Sequence, residues 1–89
     1  MNAIVSVVGN DRVGIIANIC NKLAERNVNV LDISQTILDG TFTMIMAVDV
    51  EKANAPFSQL QADLKDLGNE MNLSIHIQRE EIFDAMHTI

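Results

Sequence analysis

The segment Gly9-Asn10-Asp11-Arg12-Val13-Gly14-Ile15 follows the apolar run Ile4-Val5-Ser6-Val7-Val8 and gathers two glycines, an amide, a carboxylate and a guanidinium within seven residues. Such a set suits the holding of a small charged molecule better than its transformation. Where a helix follows a loop of this kind, its first backbone N–H groups have no intrahelical partner and the helix dipole favours an anion. Gly14 carries no Cβ, so a carboxylate can approach the backbone closely. Asn10 or Asp11 can cap the helix and can also accept a hydrogen bond from an ammonium group. A carboxylate and an ammonium on one small molecule describe an amino acid. The same residues equally make an ordinary turn and N-cap with a solvated Arg12, and taken alone they leave both readings open.

Other chemistries find less support. Ile15-Ile16 follow Gly14 where a Walker loop needs Lys and Ser/Thr, and no third glycine completes a dinucleotide fingerprint. No cofactor is expected. His76 alternates with Leu73, Ile75 and Ile77 and belongs on the polar side of its strand, while His87 stands alone near the end of the chain. No Cys/His/carboxylate set has metal-ligand spacing, so no metal is expected. Ser6, Ser34, Ser58 and Ser74 lack a nucleophile-elbow context, no carboxylate pair is marked out by an apolar setting, and no catalytic residue is assigned. Cys20 lies among Ile16, Ala17, Leu23 and Ala24 and reads as a small core residue.

With 6 Lys+Arg against 12 Asp+Glu, the formal net charge of −6 argues against a phosphate-neutralising surface, hence against nucleic acid. The 89 residues make one domain, and 48% hydrophobic against 20% charged residues is a globular balance. No apolar run is long enough to span a bilayer, and the N-terminus lacks the pattern of a signal peptide. The expectation is a cytoplasmic protein without a membrane partner.

The elements that position the glycine-bearing segment follow from periodicity. Asn2 to Val8 is rich in β-branched residues and reads as a strand. From Val13 to Arg26, positions 13, 16, 17, 20, 23 and 24 share one helical face, which predicts an amphipathic helix ending near Asn27. Val28 to Leu38 reads as a strand leading through Asp39-Gly40, a pair suited to a type I′ turn, into an antiparallel strand with Phe42, Met44, Met46, Val48 and Val50 at period two. Met44 and Met46 are expected in the core. After the connection Glu51 to Ala55, Pro56 and the spacing of Phe57, Leu60, Leu64, Leu67 and Met71 define a second helix, its last turn weakened by Gly68. Leu73 to Ile77 alternates as a fourth strand. Residues 80–89 form a tail in which Ile82, Phe83 and Met86 fall on one helical stripe, available to the core or to a partner.

The order β-α-β-β-α-β predicts an α+β, ferredoxin-like sandwich: a four-stranded antiparallel sheet with both helices on one face. The first strand is apolar on both sides, with Ala3, Val5 and Val7 on one and Ile4 and Val8 on the other. Helices on one face cannot cover both, so a homodimer that extends the sheet or covers its remainder is expected.

The segments Asp11-Arg12-Val13-Gly14-Ile15-Ile16-Ala17-Asn18-Ile19 and Arg26-Asn27-Val28-Asn29-Val30-Leu31-Asp32-Ile33, in this element order, resemble the signature segments of the ACT domain, a small regulatory module that commonly binds amino acids at subunit interfaces. The resemblance covers residues 1–79 and is strongest to short stand-alone ACT proteins and to the ACT repeats of glycine-cleavage transcriptional regulators. It implies a non-catalytic, amino-acid-binding homodimer. Asp11 takes the loop position whose side chain contacts ligand, Gly14 is the glycine beside it, and Asn29 matches a polar position reaching the ligand from the neighbouring subunit. Val13 stands where many members have Pro, and Asp11 where some have Asn. The expected ligand-binding set is therefore Asn10, Asp11, Arg12, Val13, Gly14, Ile15 and Asn29. The alternative is a ligand-free module for binding another protein, for which Ile15, predicted to point away from the core face of its helix, is the hint.

Overall fold

A computed structural model describes residues 2–81. Strand β1 (Asn2–Asn10) leads to helix α1 (Ile15–Glu25), strands β2 (Asn29–Leu38) and β3 (Thr41–Asp49), helix α2 (Phe57–Met71) and strand β4 (Leu73–Arg79). The strands form one sheet in the order β2-β3-β1-β4, antiparallel throughout, which is the expected ferredoxin-like arrangement. Asp39 and Gly40 both have positive φ, 51° and 77°, and Leu38 pairs with Thr41 across them, as a type I′ hairpin requires.

The register aligns the inward residues in rows. Val5 stands between Met46 and Ile77, and Val7 between Met44 and Ile75, all buried. Directly opposed residues share a face, so the predicted period-two set of β3 packs as one surface. Against it α2 sets Leu60, Leu64, Leu67 and Met71, and α1 sets Ile15, Ile19 and Leu23. His76 pairs with Ser6 on the opposite side and is exposed, as its alternation predicts.

The buried stripe of α1 differs from the predicted one. Val13 is 98% exposed and Ala17 and Ala24 are exposed, whereas Ile15 is only 2% exposed. Ile16 and Cys20 are half-buried at the flank of the core. The cause is where the helix begins: Gly14, at φ 88°, is its N-cap, so Val13 lies in the loop and the 15, 19, 23 stripe meets the sheet. Ile15 thus gives no support to an exposed docking surface. The predicted stop is correct in kind. Asn27 adopts φ 59°, its N–H donates to the Ala24 carbonyl and that of Val28 to the Leu23 carbonyl, which makes a Schellman closure with asparagine in the left-handed position.

Gly68 has a different role from the one predicted. It is buried, and a Cβ there would stand 2.6 Å from the Leu73 carbonyl oxygen. Its missing side chain is what lets α2 lie down on β4. The predicted stripe of Ile82, Phe83 and Met86, together with His87, lies outside the described residues.

Candidate functional site

The loop between β1 and α1 is fixed at three points. The Asp11 N–H donates to the Gly40 carbonyl at 2.8 Å, tying the loop to the β2–β3 turn. The Arg12 Nη1 donates to the Met71 carbonyl at 3.2 Å, at the C-terminal end of α2, where a cation complements the helix dipole; α2 has no basic residue of its own in its last turn. Arg12 is therefore engaged as well as exposed. The Asn18 side chain donates from Nδ2 to the Gly14 carbonyl at 2.7 Å.

Neither Asn10 nor Asp11 caps α1, contrary to expectation. Gly14 holds the N-cap position, no side chain caps the first helical N–H groups, and no acidic residue occupies the first turn. The reason is spacing: with the helix starting at Ile15, Asn10 still belongs to β1, opposite Thr41, and Asp11 is three residues ahead of the cap. The first N–H groups of α1 consequently have no side-chain acceptor, and the Asn18 amide folds back onto the Gly14 carbonyl beside them.

A groove of about 330 Å³ opens beside this helix start. Asp11, Arg12, Gly14 and Ile15 line it together with Ile16 and Ala17 of α1, Gln35 and Ile37 of β2, and Phe42 of β3. Four of the seven predicted residues thus converge. Val13 points to solvent, Asn10 is exposed at the strand end, and Asn29 lies at the other end of β2, about 30 Å along the strand from Leu38 at ~3.3 Å per residue. Within one chain Asn29 and Asp11 do not meet.

Gln35, Ile37, Ile16, Ala17 and Phe42 are groove residues absent from the predicted set. Gln35 carried a signal: it stands between Ile33 and Ile37 on the inward parity of β2, a polar residue in an apolar phase. The register confirms the phase, since Ile33, Gln35 and Ile37 pair with the buried Met46, Met44 and Phe42. Yet Ile33 and Ile37 are 40% and 54% exposed. The two helices cover the inner face of β2 only in part, and Gln35 and Ile37 of that strip line the groove.

Among the described residues, two hollows are larger. One, of about 410 Å³, follows the free edge of β4 beneath Gln61, Lys65 and Asn69. The other, of about 440 Å³, is lined by Ala24, Asn27, Val28, Asn29, Asp49 and Lys52 at the start of β2. Volume does not decide between them. The smaller groove joins an uncapped helix start, an acid and a base, a combination with the chemistry to orient a zwitterion. Among the described residues no group of three or more His, Cys, Asp and Glu is placed to hold a metal ion, and no helix is long and apolar enough to cross a membrane.

Comparison with known proteins agrees with the fold and its sequence segments. The chain is 54% identical over 87 residues to a UPF0237 protein of Bifidobacterium longum, covering 98% of this chain and 97% of that one. Among solved structures, an ACT domain protein from Streptococcus pneumoniae superposes with a TM-score of 0.81 at 38% identity, covering 100% of this chain and 97% of the other. A putative glycine cleavage system transcriptional repressor superposes at 0.73 and 20% identity over 86% of this chain and 44% of its own, a likeness of fold. The ACT domain family model matches residues 2–78, and the chain belongs to that family of regulatory ligand-binding modules.

Proposed function

We propose that this chain is a non-catalytic sensor that works as a homodimer and binds a small amino acid in the groove beside α1, with the second copy closing it. The observation that carries the reading is the state of β2. It is an edge strand, exposed from Leu31 to Leu38, whose inward residues Ile33 and Ile37 continue the core row but are only half covered. Antiparallel pairing of β2 with its copy, about a two-fold axis near the middle of the strand, extends the sheet and shields that strip. It also brings Asn29 of the second copy beside Leu38 of the first, next to the Asp11 loop. The ligand carboxylate then meets the first amides of α1, and its ammonium meets the Asp11 carboxylate.

Calorimetric titration with the twenty amino acids, run beside light scattering, tests this reading. A dimer that takes up heat with at least one of them is the expected result. A monomeric mass, or no heat and no melting shift with any, overturns it. Binding shifts the dimer between arrangements only through a difference in affinity, and a protein partner would read the outcome. A ligand-free protein-binding module is the second reading, favoured by the exposed Val8 and Ile45 on the sheet face opposite the helices. Substituting Ile45→Lys distinguishes them: ligand heat and dimer mass persist if the groove is the working site.

A further inference from the structure

The chain has six basic side chains, and the structure accounts for four of them. Arg12 bonds to the Met71 carbonyl, Lys22 faces Glu25 at 3.5 Å, Arg26 binds Asp63 at 2.6 Å, and Arg79 lies 5.5 Å from the centre of the Phe57 ring. Among the described residues, Lys52 and Lys65 have no such partner for their side-chain nitrogen. Lys65 borders the β4 edge, remote from the loop groove. Lys52 lines the 440 Å³ hollow at the start of β2, beside Asn29. Its backbone carbonyl accepts a hydrogen bond from Asn27 Nδ2 at 2.8 Å, which anchors its main chain at that wall. The carboxylate in the same hollow, Asp49, accepts the Glu51 N–H at 2.9 Å.

This hollow and the loop groove lie at opposite ends of β2. In the proposed dimer a two-fold axis through the middle of β2 exchanges those ends and brings the hollow of one copy beside the groove end of the other. The loop groove supplies an anion-receiving helix start and Asp11. The facing hollow adds an uncommitted ammonium on a flexible four-carbon stem. Lys52 is exposed at this hollow, so its ammonium is free to meet an anionic group on a ligand.

We infer that Lys52 is the specificity-determining residue of the shared site, and that the ligand is an amino acid carrying a second acidic group, a side-chain carboxylate or phosphate. This rests on the dimeric reading above. Calorimetry on the full chain with aspartate, glutamate and O-phosphoserine, against alanine, serine and glutamine, tests it, with the mass measured in each sample. The acidic ligands are expected to bind at least about tenfold more tightly than the neutral ones, the effect of one charge-assisted contact. The Lys52→Ala variant loses that preference with neutral-ligand affinity and dimer mass unchanged, and Lys52→Arg keeps it. Phosphoserine against aspartate and glutamate tells which anion fits. A dimer that binds neutral amino acids as tightly as acidic ones, or a preference that survives Lys52→Ala, overturns the inference while leaving the sensor reading intact. No binding by any of the six also overturns the inference, and the sensor reading falls with it only if the chain is a monomer or none of the twenty amino acids binds.

Discussion

The two edges of the sheet are built from the same alternation and meet different fates. On β4, the inward residues Leu73, Ile75 and Ile77 are buried, because α2 lies directly over them and Gly68 lets its backbone come close. On β2, the inward residues Ile33 and Ile37 occupy equivalent rows beside Met46 and Phe42 but remain largely open. Two helices over four strands cover one edge fully and leave the other. The covered edge is committed to stability, and the open edge is available for assembly and ligand.

The sharpest test of this contrast is a matched pair of truncations. Ile75→Ala removes a buried side chain and is expected to cost about 2–5 kcal/mol in urea unfolding, whereas Ile33→Ala, measured on dilute monomer, costs less than about 1 kcal/mol. Equal costs would mean that the edges do not differ. Next in size is Gly68→Ala. The new methyl group meets the Leu73 carbonyl oxygen, and overpacking of this kind lowers stability by about 1–3 kcal/mol.

A smaller effect is expected where α1 is pinned to α2. The Arg26 hydrogen bond, with a second from Gln59, holds the Asp63 carboxyl below its ordinary value of 3.8. A depressed carboxylate pKa stabilises the fold above the unfolded-state value and loses that contribution as pH falls through the folded one. Asp63→Asn is therefore expected to cost about 1 kcal/mol or less at pH 7 and to flatten the loss of stability below about pH 4, read from melting curves against pH. Smallest in stability is Ile37→Lys, within about 0.5 kcal/mol for the monomer. Its readout is mass: light scattering should fall from dimer to monomer, and an unchanged dimer would place the assembly surface elsewhere.

The asymmetry also explains which parts of the site could be read from the chain. Asp11, Arg12, Gly14 and Ile15 were accessible because loop chemistry between a strand and a helix is local. Gln35 and Ile37 were not, since the exposure of an inward-phased residue depends on which strands the helices cover. Arg12 was read as a ligand-binding residue or, alternatively, as solvated, and nothing near it in sequence points to Met71, 59 residues away.

By itself the sequence determined the element order, the Asp39-Gly40 hairpin, the inward set of β3 and the stripe of α2, because each follows from a backbone period or a turn preference acting over a few residues. Tertiary structure alone decided the phase of α1, the close approach at Gly68 and the uncovered strip of β2. Those depend on where a helix starts and how it settles across the sheet, which are set by packing between segments distant in the chain.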